Sequence, residues 1–254
     1  MDLNYKAFGQ GEPIIILHGL FGTLDNWQTV GKQLAEHYSV FLIDQRNHGR
    51  SPHTDKIDYP SMAQDLYQFM ETQWVYKAYI MGHSMGGKTA MQFALNHPDM
   101  VEKLIVVDIA PKAYKGGHQD IFDALTSLDL EKIESRSEAD EILKAQIEDT
   151  GIRQFLLKNL TRNKEGGYQW KMNLPILVQD YPKLLAEPHA ETPFEKPSLF
   201  IRGGKSEYIL EEDTVLIHEL FPEASIKTVP EAGHWVHAEA PDHLMKLVTE
   251  FLKT

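Results

Sequence analysis

The most informative segment of the chain is Ile80-Met81-Gly82-His83-Ser84-Met85-Gly86-Gly87-Lys88. An apolar run that includes Ala78 and Tyr79 leads into it and predicts a buried strand, whereas apolar residues at helical spacing after Lys88 predict a helix. A Gly-x-Ser-x-Gly pattern between a strand and a helix is typical of a sharp turn that lifts the serine hydroxyl above the sheet edge. The sequence therefore predicts that Ser84 is a nucleophile, and a plain glycine-rich turn is the alternative.

Short apolar runs recur on both sides of this turn, and the segments between them carry apolar residues at helical spacing. Alternating strands and helices predict an α/β fold in which helices flank a mostly parallel central sheet. The predicted strands are residues 14–17, 40–43, 78–81, 104–107, 198–201 and 225–229, and the predicted helices are 27–37, 61–73, 88–97, 211–221 and 241–253.

Residues 112–196 interrupt this alternation, because they contain no convincing β-branched run. Amphipathic pieces near residues 121–128, 139–148, 152–160 and 174–185 predict helices. The paired glycines in Lys164-Glu165-Gly166-Gly167-Tyr168 predict a small hairpin. We predict a core formed by residues 1–111 and 197–254, with a mainly helical cap, residues 112–196, inserted between two late strands.

Composition excludes several classes of function. The 254 residues hold 25 Lys plus Arg and 37 Asp plus Glu, a net charge of −12, which disfavours binding to nucleic acid or to an anionic membrane. The absence of cysteine excludes disulfides, thiolate metal sites and a cysteine nucleophile. We see neither a signal peptide at the start of the sequence nor a membrane span, so a cytoplasmic protein is expected.

A serine nucleophile needs a base, and His234 follows the last predicted strand within Pro230-Glu231-Ala232-Gly233-His234-Trp235. His83 is next to the nucleophile, but neighbouring side chains on a sharp turn are expected to diverge. His237 lies three positions after His234 and suggests a metal pair. Because no third ligand is well placed, we predict no metal site.

Four segments occur in the order and contexts of the α/β-hydrolase superfamily of serine hydrolases, and the chain resembles that superfamily over nearly its whole length outside the predicted cap. They are Leu17-His18-Gly19-Leu20-Phe21-Gly22, residues 44–51 (DQRNHGRS), residues 82–87 (GHSMGG) and Gly233-His234-Trp235-Val236-His237. Finer details, including Asp108-Ile109-Ala110-Pro111 and Arg202-Gly203-Gly204, resemble the bacterial YbfF-type esterases.

The resemblance implies an oxyanion hole formed by two backbone N–H groups. Leu20 is the expected donor from the loop after the first core strand, with Phe21 as its near neighbour, and Met85 is the second donor. Asp44, Arg46 and Gly49 lie in a loop after a predicted strand, and we favour a structural role for them, because charged loop residues commonly form internal hydrogen bonds.

The third catalytic residue stays open between two acids. Most members of the superfamily carry it about three residues after the glycine that ends the penultimate strand, yet counting from Gly203 reaches Ser206, and Glu207 lies one place too far. Asp108 ends the strand after the nucleophile strand, where YbfF-type esterases place their acid. We prefer Asp108 and keep Glu207 as the alternative.

We therefore predict a serine hydrolase, an esterase or thioesterase, that works through an acyl-enzyme and needs no metal or organic cofactor. The resemblance implies a small or medium acyl group, on an alcohol or on coenzyme A, and Phe21, Trp170 and Trp235 are the expected apolar lining of its pocket. Carbon–carbon hydrolases, acyltransferases and perhydrolases use the same scaffold, so they remain alternatives. A non-catalytic ligand-binding member of the fold is a further alternative.

Overall fold

A seven-stranded sheet forms the centre of the molecule. The structure is a computed structural model that describes all of residues 1–254. Its strands are β1 (Tyr5–Phe8), β2 (Pro13–Leu17), β3 (Ser39–Ile43), β4 (Ala78–His83), β5 (Val101–Val107), β8 (Ser198–Gly203) and β9 (Ala224–Val229), while β6 (Leu160–Arg162) and β7 (Tyr168–Trp170) form a separate pair. The order across the sheet is β1-β3-β2-β4-β5-β8-β9. Only β1 runs antiparallel to its neighbour, so the predicted, mostly parallel sheet is confirmed.

Eleven α-helices accompany the strands. They are α1 (Gln28–Leu34), α2 (Tyr59–Thr72), α3 (Met85–Asn96), α4 (Gln119–Ser127), α5 (Arg136–Leu143), α6 (Thr150–Leu157), α7 (Leu174–Gln179), α8 (Tyr181–Leu185), α9 (Asp213–Leu220), α10 (Val236–Glu239) and α11 (Pro241–Lys253). Short 3₁₀ turns cover Leu24–Trp27 and Pro98–Met100. None of these helices combines the length and apolar character needed to cross a membrane.

Hydrophobic side chains pack on both faces of the sheet, because successive residues of a strand point to opposite sides. On β2, Ile15 and Leu17 join one buried cluster with α2 and α3, whereas Ile14 and Ile16 join a second with α1 and α11. All four side chains are at most 1% exposed. Burial on both faces explains why the sequence of these strands is continuously apolar and does not alternate.

Residues between β5 and β8 form helices α4 to α8 and the antiparallel β6–β7 pair, as the sequence predicts. A third cluster packs this segment onto the core, since Phe122 and Leu156 share it with Phe21 and Met85. The predicted helix over residues 174–185 is wrong in one respect: Asp180 separates α7 from α8. Its buried carboxylate accepts the backbone N–H of Ile57 at 2.9 Å, which ties this break to the core.

Candidate active site

Ser84 lies in a strained turn between β4 and α3. Its φ of 52° is rare for a residue with a side chain, and its N–H donates to the carbonyl of Val107 at 3.0 Å. Glycine is required on both sides: a Cβ on Gly82 would lie 2.1 Å from the carbonyl oxygen of Gly86, and one on Gly86 would lie 2.4 Å from that of Leu17. The turn thus presents the Ser84 hydroxyl at the carboxyl edge of the sheet.

The imidazole of His234 lies between Ser84 and Asp108. Its Nε2 is 3.0 Å from Ser84 Oγ, and its Nδ1 is 2.8 Å from Asp108 Oδ2. A carboxylate only accepts, so Nδ1 carries the proton and Nε2 is free to accept the proton of the Ser84 hydroxyl. The loop after β9 brings His234 to the sheet edge on which β4 and β5 end.

Asp108 follows β5 directly, at a φ of 52°, and its side chain is fully buried. Besides His234, it accepts the N–H of Gly203 at 2.8 Å and the hydroxyl of Ser206. A buried carboxylate is stable only when such donors satisfy it. Glu207 is solvent-exposed and makes no hydrogen bond to His234, so the geometry favours Asp108 among the two acids that the sequence leaves open.

Two residues that line a cavity together with Ser84 have backbone N–H groups without a partner in the protein. Met85 is the first residue of α3 and its N–H lacks an intrahelical acceptor, and Leu20 N–H makes no hydrogen bond. Phe21 differs, because its N–H donates to His48 Nε2 at 3.3 Å. Of the two neighbouring donors considered from the sequence, Leu20 therefore fits an oxyanion hole better than Phe21.

His83 contacts the site, contrary to the expectation that its side chain points away. The ring is buried, its Nε2–H donates to the backbone carbonyl of His234 at 2.8 Å, and its centroid is 4.7 Å from the His234 ring. The contact arises because the loop after β9 brings His234 against the His83 ring. Tyr208 stacks on the His234 ring with centroids 3.9 Å apart, so aromatic rings on two sides hold the orientation of the His234 imidazole.

Burial keeps the surrounding histidines neutral at pH 7. It lowers the pKa of His18 to about 4 and that of His48 to about 3, and for His48 the nearby His18 adds to the effect. Burial and the nearby His234 lower the pKa values of His118 and His237 to about 4. The rings around His234 therefore add no positive charge to the site at pH 7.

Two cavities meet at Ser84. A smaller one, of about 50 Å³, is lined by Phe21, Trp235 and His234 among others. A larger one, of about 280 Å³, extends beneath the cap and contacts Lys88 and several tyrosines. The predicted lining role of Phe21 and Trp235 agrees with this geometry.

Trp170 lines neither cavity, contrary to the expectation from the sequence. It lies on β7, opposite Leu160, and borders a separate surface groove with Arg50 and Lys171. The prediction failed because the position of a short hairpin relative to the core depends on how the cap packs, which local sequence does not specify.

A family model described as alpha/beta hydrolase fold matches residues 12–241. The chain belongs to this family. It is 36% identical to esterase YbfF of Escherichia coli over 99% of both chains, and 41% identical to the sn-1-specific diacylglycerol lipase of Mus musculus over 94% of this chain and 80% of that one. A solved structure titled marine microorganism esterase superposes with a TM-score of 0.97 at 43% identity, covering 98% of this chain and 99% of that one.

Proposed function

We propose that the protein cleaves carboxylic esters or thioesters through an acyl-enzyme on Ser84, with His234 as general base and Asp108 as the orienting acid. The observation that carries this proposal is the position of one imidazole, 3.0 Å from the Ser84 hydroxyl on one side and 2.8 Å from the Asp108 carboxylate on the other. Such a linear arrangement is the one that nucleophilic serine hydrolysis requires.

The reaction follows from the hydrogen bonds. His234 Nε2 takes the proton of Ser84 as Oγ bonds to the acyl carbon, and the carbonyl oxygen becomes an oxyanion that the N–H groups of Leu20 and Met85 stabilise. Asp108 stabilises the imidazolium that forms. The imidazolium then gives its proton to the departing alcohol or thiol, and water attacks the ester on Ser84 with His234 as base again, releasing the acid and the free serine.

The protein is a carboxylic ester hydrolase, in keeping with the esterase and lipase names of its relatives. We propose that it accepts both oxygen esters and thioesters. We also propose that residues 112–196 act as a cap that restricts access to the larger cavity. Tyr181, Leu184 and Leu185 of this segment line that cavity and support this role of the cap. A cytoplasmic location remains a prediction from the sequence.

Covalent labelling tests the nucleophile directly. We expect a fluorophosphonate probe to add once to the protein, at Ser84, and to leave Ser84→Ala unlabelled with hydrolysis reduced by several orders of magnitude. Ser127→Ala is the matched control, because Ser127 lies on the cap surface and donates only to the carbonyl of Ala124. Labelling elsewhere, or full activity of Ser84→Ala, would contradict the proposal.

A side-by-side substrate panel separates the rival activities. Esters and thioesters of the same short acids test hydrolysis, a dienoic diketone tests carbon–carbon cleavage, and added ethanol or hydrogen peroxide tests acyl transfer and perhydrolysis. We expect the ester or thioester to be hydrolysed fastest. Turnover confined to the diketone, or release of the acyl group only in the presence of an added acceptor, would overturn the assignment.

A further inference from the structure

Lys88 is a buried lysine without an anionic partner. Three lysine or arginine residues are buried, and two of them form ion pairs: Arg46 with Asp65 at 2.6 Å, and Arg153 with Asp140 at 2.8 Å. Lys88 is only 1% exposed, yet no carboxylate oxygen lies within 4 Å of its Nζ. Buried charges in proteins are normally paired, so the structure leaves a position for a negative charge beside Lys88.

Only dipoles and ring faces surround the ammonium group. Nζ donates to the carbonyls of Leu185 at 3.1 Å and Ala186 at 2.6 Å, and it lies 4.7 Å from the ring centroid of Tyr114 and 5.5 Å from that of Tyr59. These two hydrogen bonds leave one of the three N–H groups without an oxygen acceptor. That donor is available to a ligand.

Lys88 lines the larger cavity, the same one that reaches Ser84. Ser84 directly precedes α3 and Lys88 lies in its first turn, where the backbone N–H of Lys88 donates to the carbonyl of Ser84 at 3.0 Å. An acyl group attached to Ser84 and extended into this cavity would therefore pass along the face of α3 on which Lys88 lies.

The other titratable groups near Lys88 are either neutral or exposed to solvent. Burial lowers the pKa of Lys88 to about 7, and Glu187, which is exposed, opposes this only in part. The tyrosines of the cavity are neutral, since burial raises the pKa values of Tyr59 and Tyr114, and His118 is neutral too. Glu207 also lines the cavity but is exposed to solvent, which screens its repulsion of an anion.

We propose that the larger cavity takes an acyl group that ends in a carboxylate, and that the ammonium of Lys88 binds this carboxylate. The preferred substrates are then half-esters or half-thioesters of short dicarboxylic acids. This inference rests on the proposed function, because it makes the larger cavity the acyl pocket of the enzyme that acts through Ser84.

The test compares esters that differ only in the terminal group. Monomethyl succinate, glutarate and adipate are paired with methyl pentanoate, hexanoate and heptanoate, and kcat/KM is measured for each pair. We expect the half-ester of the best-fitting length to be favoured about tenfold at pH 6. Because Lys88 deprotonates near pH 7, the ratio within a pair should fall by up to about tenfold per pH unit above that value. A ratio that is below one or constant with pH would overturn the proposal.

Two variants test whether Lys88 causes the half-ester preference. Lys88→Met removes the charge and keeps the length of the side chain, and we expect it to abolish the half-ester preference. Lys112→Met is the matched control, since Lys112 contacts the same Tyr114 ring but is paired with Asp213 at 2.6 Å, and it should keep the preference. Each variant is judged by a ratio of two substrates, so a general loss of activity cancels. An unchanged ratio in Lys88→Met would contradict the proposal.

Binding to Ser84→Ala separates this proposal from the proposed function. Calorimetry should detect monomethyl glutarate binding at least tenfold more tightly than methyl hexanoate, with uptake of a proton at pH 8 because the carboxylate stabilises the charged lysine. Such binding would stand even if another residue were the nucleophile. Equal affinities, or monomethyl glutarate binding without proton uptake, would overturn the assignment to Lys88 while leaving the role of Ser84 intact. This experiment needs no folded Lys88 variant.

Discussion

Replacing Asp108 by asparagine should disable the enzyme without unfolding it. The asparagine oxygen can still accept the N–H of Gly203, as Asp108 does at 2.8 Å. Its NH₂ group, however, replaces the oxygen that now accepts from His234 Nδ1 at 2.8 Å. Facing a donor, His234 would switch its proton to Nε2, and Nε2 could no longer take the proton of Ser84.

The expected loss in kcat is about three to four orders of magnitude, as for a triad held in the wrong tautomer. At about 1.36 kcal/mol per factor of ten, this corresponds to about 4 to 5 kcal/mol of transition-state stabilisation. Steady-state hydrolysis of a short ester measures it, and a thermal melt within a few degrees of the wild type shows that the variant is folded.

Glu207→Gln is the matched control for this experiment. Glu207 is exposed and does not contact His234, so its variant should retain activity within about threefold, in the range of surface substitutions. Near wild-type turnover by Asp108→Asn would show that Asp108 is not the orienting acid. A large loss confined to Glu207→Gln would show the same.

Three further predictions concern stability and the pocket. Because the folded pKa values of His18 and His48 are about 4 and about 3, below the value of about 6.5 in an unfolded chain, the free energy of unfolding should fall as pH drops from about 6.5 towards 4. The fall is up to about 1.4 kcal/mol per pH unit for each histidine, and urea titrations at pH 7, 6 and 5 that give equal values would contradict it. Gly86→Ala places a Cβ 2.4 Å from a backbone carbonyl, so it should lower the melting temperature by several degrees or prevent folding, and a variant as stable as the wild type would argue against the tight turn. Trp235→Ala should change kcat/KM across a series of alcohol leaving groups because Trp235 lines the smaller cavity, whereas Trp170→Ala should not; equal effects of the two would place the pocket elsewhere.

The sheet and its helices could be predicted from sequence because the apolar runs are buried on both faces and the helices carry one apolar side. The predicted ends of helices are less accurate where a capping side chain determines the end of the helix. Helix α2 begins at Tyr59, two residues before the predicted start, because the Asp58 carboxylate accepts the N–H of Ser61 at 2.8 Å and caps the first turn. The sequence does not show that the Asp58 side chain turns towards the backbone of the helix, so this start could not be predicted.

The candidate site was predictable in part. Ser84 and His234 stand in local patterns that determine their position, whereas the choice between Asp108 and Glu207 depends on which loop reaches the imidazole. Ser206 offered a signal, since a hydroxyl occupies the usual position of the acid and the structure shows it donating to Asp108. For Lys88 the sequence contains no such signal, because its burial results from contacts with the carbonyls of Leu185 and Ala186, which are far from it along the chain.

The hydrogen bond between Ser206 and Asp108 has a consequence for how this family can change. An aspartate at position 206 would place a second carboxylate against the same oxygen, and two carboxylates so close cannot both stay ionised. The two positions therefore cannot both hold an ionised acid, and we expect family members with an acid at position 206 to lack one at position 108. An uncharged residue such as Ser206, which donates to Asp108, is compatible with the carboxylate there.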